Sequence, residues 1–107
     1  MEQPMNYNIS KELFEEVRGF KVKSITTGSF IFFEMEDGYS PNYGIPTDTF
    51  FFHCKEWAKT QGYVIWSYLD QANIFNFDGI KINSFISKEQ QAVFDACQWI
   101  LDNKAKQ

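Results

Sequence analysis

Residues 74–83 read IFNFDGIKIN and contain the clearest local structural signal in the chain. Asp78-Gly79 is the favoured dipeptide for a two-residue type I′ turn, and alternating apolar residues flank it on both sides. The register imposed by such a turn puts four apolar residues on one face as two cross-strand pairs, Phe77 with Ile80 and Phe75 with Ile82. The stretch therefore predicts a half-buried antiparallel hairpin.

Three further segments have the composition of β-strands. Residues 20–26 and 30–36 are rich in β-branched and aromatic residues, and Gly28-Ser29 between them predicts a turn. Residues 63–69, YVIWSYL, are apolar nearly throughout. That pattern is typical of a strand buried on both faces, so we expect a central position in the sheet.

Three segments have the apolar spacing of amphipathic helices. The first begins after Ser10 as N-cap and ends at Gly19, a residue well suited to a left-handed C-cap. The central helix is expected from a Thr47 or Asp48 cap to about residue 61. The last helix is expected from Ser87 to about residue 103.

The resulting element order is α-β-β-α-β-β-β-α. Because hairpin connections predominate, the order predicts an α+β fold, with three helices packed on one face of an antiparallel or mixed sheet of about five strands. A chain of 107 residues has the length of one domain. We expect residues 1–8 to form a flexible N-terminal tail and residues 9–107 to form the single domain.

Composition and charge narrow the classes of function. Aromatic residues make up 19% of the chain, more than a core of this size easily encloses, so some rings are expected at the surface. A net charge of −4 argues against nucleic acid and anionic membranes as partners. No apolar run reaches about 18 residues and the N-terminal residues lack a signal-peptide core, so we expect a cytoplasmic protein. Cys54 and Cys97 are expected to be reduced and buried.

Two helices each place one large ring on a polar face. Phe52 lies opposite the apolar stripe of the central helix, and Trp99 lies opposite the stripe of the last helix. One interpretation is that single exposed rings are common, or that the chain itself covers them. The other is that they contact a protein, together with Tyr39 and Tyr43 of the preceding loop. We expect a protein-binding accessory module that self-associates, with a homodimer as the simplest assembly.

A polar centre offers an alternative function. His53 and Glu56 are one helical turn apart, and Glu34 and Glu36 project from one strand face about 6.5–7 Å apart. They are the only candidates for a small enzyme or ligand-binding protein. One histidine with one carboxylate is too few for a metal site, and no cofactor motif is present, so neither a metal nor a cofactor is expected. Single-stranded nucleic-acid binding by aromatic rings is a second alternative, which the scarcity of lysines disfavours.

Two helical segments carry a resemblance to known proteins. Residues 89–103, EQQAVFDACQWILDN, and residues 55–63, KEWAKTQGY, resemble parts of small uncharacterised bacterial or phage proteins. The resemblance covers about a quarter of the chain and includes no motif with an attached activity. It implies an accessory protein of a phage or mobile element that acts by binding, and it assigns no functional residue.

Overall fold

The computed structural model describes residues 6–41 and 44–105 and has an α+β architecture. The elements in chain order are α1 Lys11–Arg18, β1 Ser24–Thr26, β2 Phe30–Glu34, β3 Ile45–Pro46, α2 Thr47–Thr60, β4 Tyr63–Tyr68, β5 Gln71–Asn76, β6 Lys81–Ile86 and α3 Glu89–Ala105. The predicted α+β class and the three helices are confirmed. The predicted five-stranded sheet is wrong, because the six strands of the described chain form two three-stranded antiparallel sheets, β1-β2-β3 and β4-β5-β6.

The strand that the sequence did not predict is β3. It is two residues long and pairs Ile45 with Ile31. An alternating pattern needs at least four residues to be recognised, so a two-residue strand leaves no signal in the sequence. The preceding Gly44 fits because a Cβ atom there would lie 2.7 Å from the Ile31 carbonyl oxygen. The pairing of β3 with β2 therefore depends on the close approach of two backbones at Gly44, which an alternating pattern of side chains does not reveal.

The predicted ends of α1 are confirmed. The Ser10 hydroxyl accepts a hydrogen bond from the Leu13 N–H at 3.0 Å, which satisfies one free donor of the first turn. At the other end Gly19 has a φ of 81° and donates its N–H to the Glu15 carbonyl oxygen at 2.8 Å. Leu13 and Phe14 are fully buried on the inner side of this short helix.

The predicted starts of the other two helices are wrong. Pro46 occupies the N-cap of α2, and the Thr47 hydroxyl donates to the Gly28 carbonyl oxygen instead of capping the helix. The third helix begins at Glu89, whose N–H donates to the Leu69 carbonyl oxygen at 3.0 Å. Both starts are set by contacts with residues distant in sequence, which local capping patterns do not contain.

The core is built from aromatic rings. Phe14 lies at its centre, with ring centroids 6.0 Å from Phe20, 5.5 Å from Phe33 and 5.4 Å from Phe50. Phe50 continues the contact to Phe94 of α3 at 5.7 Å. These contacts join α1, the first sheet, α2 and α3 in one hydrophobic cluster. Clustered rings of this kind add about 0.5–1.5 kcal/mol per pair beyond their buried area.

Part of the predicted N-terminal tail lies against α3. Tyr7 packs edge-on against Phe94, with ring centroids 5.5 Å apart, and its hydroxyl donates to Gln90. The Asn8 N–H donates to the Gln91 side-chain oxygen at 2.7 Å. Residues 1–5 of the predicted tail lie outside the described residues.

The molecule is a thin slab. Its Cα atoms extend 43 × 39 × 19 Å, and the shortest dimension matches two layers of secondary structure separated by about 10 Å. Helix α3 contacts all three strands of the second sheet and also packs against α2. Helix α3 therefore covers one face of the second sheet, while Trp66, Tyr68 and Ile86 are exposed on its other side. None of the described helices combines the length and the hydropathy that crossing a membrane requires.

Candidate functional site

The predicted polar centre does not assemble. Glu34 pairs with Lys23 at 3.7 Å and Glu56 pairs with Lys59 at 3.2 Å. Strand β2 ends at Glu34, so Glu36 lies in the following turn and the predicted pair of carboxylates on one strand face is wrong. Among the described residues no group of three or more His, Cys, Asp or Glu side chains is arranged to hold a metal ion.

His53 has a structural partner instead. Its Nδ1 atom lies 2.7 Å from the Arg18 Nη1, which connects α2 to the last residue of α1. An arginine can only donate, so in this contact the His53 Nδ1 is the acceptor. No hydrogen bond joins His53 to Glu56, the predicted partner one turn along α2, in the described structure.

A polar concavity lies between α1 and α3. It has a volume of about 730 Å³ and its lining includes Glu15, Glu16 and Asp102. Each of these carboxylates already has a partner: Glu15 accepts from the Val22 N–H, Glu16 pairs with Lys104, and Asp102 accepts from Gln98. The groove is therefore a set of satisfied surface pairs.

The aromatic residues that were predicted to contact a protein differ in their solvent exposure. Phe52 points away from the core and is 63% exposed, as the helical pattern predicted, and Tyr39 is 64% exposed. The predicted exposure of Trp99 is wrong, because it is half-buried and packs edge-on against Tyr63 with centroids 6.3 Å apart. Helix α3 contacts both α2 and the second sheet, and Tyr63 of β4 covers Trp99. Tyr43 lies outside the described residues.

The uncovered face of the second sheet presents a larger apolar surface. Residues paired across antiparallel strands share a face, and the register of β4, β5 and β6 gives three rows on this side: Tyr68, Gln71 and Ile86; Trp66, Asn73 and Ser84; Val64, Phe75 and Lys81. We call these nine residues the outer sheet face. Trp66 is 68% exposed, and Tyr68 and Ile86 are also exposed.

A depression adjoins the outer sheet face at the hairpin end. Its volume is about 600 Å³, and its lining residues are Val64, Trp66, Phe75, Asn76, Phe77 and Gly79. Trp66 and Phe75 meet there edge to face, with centroids 6.2 Å apart. Phe77, at 67% exposure, extends the apolar wall beyond the strands. The surface therefore contains both a projecting ring and an adjacent hollow.

The hairpin turn that carries Phe77 differs from the predicted one. The Asn76 N–H donates to the Ile80 carbonyl oxygen at 2.9 Å, and the loop consists of residues 77–79. Of these, only Gly79 has a positive φ, 80°, whereas a type I′ turn needs two such residues. The predicted pairs Phe77–Ile80 and Phe75–Ile82 are therefore wrong.

The observed register has a bulge. Phe75 lies opposite Lys81 and Ile74 lies opposite Asn83, so Ile82 is an extra residue in β6. The Asn76 side-chain oxygen accepts from the N–H groups of Asp78 and Ile80 at 2.9 Å each, which stabilises the three-residue loop. As a result Phe77 and Ile80 are exposed at the turn instead of paired within the sheet.

The polar residues of the outer sheet face largely satisfy one another. Gln71 donates to the Tyr68 hydroxyl at 2.7 Å, and Asn73 donates to the Gln71 oxygen at 3.4 Å. The Asn73 Oδ1 atom is buried and has no hydrogen-bond partner in the described structure. Mutual hydrogen bonds lower the cost of removing these groups from water, so the face is suited to burial against a partner.

Sequence reasoning missed the outer sheet face although its signal was present. The apolar character of YVIWSYL on both alternating faces predicts a central, doubly covered strand. Residues 6–41 and 44–105 contain only three helices, and α1 packs mainly with α2 rather than with the second sheet. Counting the available helices against the apolar faces of the strands would have indicated an uncovered face.

Comparison with known proteins found no match to a family model, to a curated protein or to a solved structure. The roles of individual residues therefore follow from the geometry of this chain alone. The resemblance to small bacterial or phage proteins stays a prediction.

Proposed function

We propose that this protein is a non-enzymatic contact module that binds another protein molecule through the outer sheet face. The observation that carries the proposal is that five of the nine residues of this face are apolar or aromatic and that three of these five, Trp66, Tyr68 and Ile86, are exposed. Antiparallel sheets with one solvated face normally alternate apolar and polar residues. Here exposed Trp66, Tyr68 and Phe77 occupy positions where polar side chains are the norm.

The mechanism is the removal of this apolar surface from water. Contiguous exposed apolar patches larger than a few hundred Å² on a soluble protein usually mark interaction sites. Trp and Tyr contribute disproportionately to binding energy because their large rings lose little conformational freedom when they are buried. Trp66 is the principal anchor, since it stands in the middle row beside the hollow lined by Phe75 and Phe77.

The location of the protein and its biological setting are part of the same proposal. Cys54 and Cys97 are free and buried, as expected for reduced thiols, which supports the cytoplasm as its place of action. The resemblance to bacterial or phage accessory proteins is consistent with a role in binding.

Two variants test this function. Trp66→Ser combined with Phe77→Ser removes one ring of the outer sheet face and one ring of the adjoining hollow while leaving the core untouched. Phe52→Ser removes the predicted contact ring of α2, which is exposed to a similar extent. The readouts are the particle mass from light scattering and the proteins retained by the immobilised chain from an extract of its native cell.

We expect the double variant to lose an association that the wild type shows, and Phe52→Ser to retain it. Loss with Phe52→Ser alone would move the contact to α2. A wild type that neither self-associates nor retains any protein lost by the double variant would overturn the proposed function.

A further inference from the structure

We infer that the partner of the outer sheet face is an acidic peptide segment that carries an aromatic or large apolar side chain between its carboxylates. The inference rests on the proposed contact function and names the chemistry of its partner. Two lysines border the aromatic surface, Lys55 of α2 on the β4 side and Lys81 on β6. Neither lysine forms an ion pair with a carboxylate of the described residues.

A second, smaller hollow on the outer sheet face contains Lys55. Its volume is about 310 Å³, and its lining includes Trp66, Tyr68 and Phe75 together with Lys55. The Lys55 Nζ lies 4.7 Å from the centroid of the Phe51 ring, a cation–π contact that gives the ammonium group a defined position. A cation held beside an aromatic hollow attracts a carboxylate.

The hollow at the hairpin end suits an apolar side chain. Its volume of about 600 Å³ lies within the range of about 300–1,000 Å³ that is typical of ligand pockets. None of its lining residues is ionised. Trp66 and Phe75 line this hollow as well as the one beside Lys55. The face can therefore bind an apolar side chain and a carboxylate next to each other.

The charges around the face select an acidic partner. The chain has a net charge of −4, yet the three rows of the face contain Lys81 and no aspartate or glutamate. Asp70 and Asp78 lie in the turns at the two ends of the sheet, and Glu56 of α2 is engaged in its own ion pair. An acidic segment is therefore attracted to this face and repelled by most of the remaining surface, which orients it.

The size of the surface suits a short segment. Trp66, Tyr68 and Phe77 are each more than half exposed, so together they present about 300–450 Å². A standard interface buries about 800 Å² on each partner, which is more than these rings offer. A second copy of the chain would also place Lys55 and Lys81 against like charges. Single-stranded nucleic acid requires a groove of cations along its backbone, whereas two lysines border this face.

A synthetic peptide tests the predicted chemistry. It has eight residues: two central phenylalanines, two glutamates on each side of them and a glycine at each end. Successive side chains of an extended peptide alternate between faces, so either face presents one phenylalanine with a glutamate two residues away on each side. We expect saturable binding to the wild type in isothermal titration calorimetry. Peptides with glutamine in place of glutamate, or alanine in place of phenylalanine, should bind at least about 10-fold more weakly.

Paired lysine variants test the charged part of the site. Lys55→Gln combined with Lys81→Gln should weaken binding of the glutamate peptide by at least about 5-fold and reduce its dependence on salt concentration. Lys11→Gln combined with Lys21→Gln is the matched control, because it makes the same charge change at exposed residues that line neither hollow. The control should bind as the wild type does. Circular dichroism checks that all variants fold.

A charge reversal provides a gain of binding that misfolding cannot produce. Lys55→Glu combined with Lys81→Glu should lose the glutamate peptide and bind the peptide in which lysine replaces glutamate. An unchanged preference for the glutamate peptide would remove both lysines from the site and overturn the inference.

Other outcomes overturn the inference and separate it from the proposed function. If the glutamate peptide does not bind, or the glutamine peptide binds equally well, while the Trp66/Phe77 double variant loses a natural partner, the contact function stands and the acidic partner is refuted. Tighter binding of an eight-nucleotide oligothymidylate would make nucleic acid the occupant, and self-association that excludes the peptide would make it a second copy. Peptide binding that the Trp66/Phe77 double variant does not weaken would contradict both proposals.

Discussion

Trp66 and Phe75 meet edge to face on the outer side of the second sheet, with ring centroids 6.2 Å apart and planes inclined at 64°. The two residues belong to neighbouring strands and to adjacent cross-strand rows. Their contact gives Trp66 a defined orientation although most of its surface is exposed. A preoriented ring loses little conformational freedom on binding, which is the property expected of an interface anchor.

The first prediction concerns the stability of the sheet. Trp66→Ser should lower the free energy of unfolding by only about 1 kcal/mol, because it removes one ring contact of an exposed side chain. Ile74→Ala, on the buried side of β5, should cost about 2–5 kcal/mol by leaving a cavity. Urea unfolding at low protein concentration, where association is absent, measures both. Equal losses would show that Trp66 belongs to the folding core.

The second prediction concerns the hairpin loop. Gly79→Ala should destabilise the protein by about 1–2 kcal/mol, because Gly79 has a φ of 80°, which an L-residue adopts only with strain. Gly28→Ala is the control: its φ is not positive, and the nearest atom to an added Cβ is 3.8 Å away. That variant should remain within about 1 kcal/mol of the wild type. The urea concentrations at the unfolding midpoints of the two variants measure this difference in stability.

The third prediction concerns the role of His53. His53→Ala should lower the free energy of unfolding by about 1–3 kcal/mol, because it leaves the half-buried Arg18 guanidinium without its acceptor. Arg18→Met should cost less in the His53→Ala background than in the wild type. A double-mutant cycle in urea measures this coupling. Additive effects would show that the 2.7 Å contact does not stabilise the fold.

The fourth prediction follows from the buried thiols. Burial, and then the neighbouring thiol of Cys97, raise the pKa of Cys54 well above its ordinary value. The unfolded thiol ionises near pH 8.5 while the folded thiol stays neutral. The unfolded state then binds fewer protons, so the stability contributed by this group is fully present below that pH and declines as the pH rises towards the folded pKa.

Urea unfolding between pH 7 and pH 10 measures this decline. Cys54→Ala lacks the ionisable group and should show a shallower loss of stability over the same interval. Parallel losses in the two proteins would assign the pH dependence to other groups.

Local patterns determined the elements whose ends are fixed by neighbouring residues. The Ser10 and Gly19 caps of α1 could be predicted because capping involves groups within four positions of one another. The orientation of Phe52 could be predicted because helical geometry alone sets which side of α2 a residue faces. The same reasoning predicts the buried position of Cys54.

Trp99 shows what helical periodicity does not predict. The helical wheel correctly separates it from the main stripe of α3, but it contains no information about what lies on the other side. Tyr63 lies there, so a ring expected in water is half-buried. The coverage of a face depends on which elements pack together, and that depends on the whole chain.

The sequence by itself determined the helices, an antiparallel hairpin between residues 74 and 83 and an excess of aromatic rings. Only the tertiary structure decided that the strands divide into two sheets, that the loop residues 77–79 shift the hairpin register, and that Trp66, Tyr68 and Phe77 are exposed on or beside the second sheet. The physical reason is that periodicity records how residues alternate between faces. Solvent exposure depends in addition on whether another layer packs there, and three helices leave the outer sheet face without one.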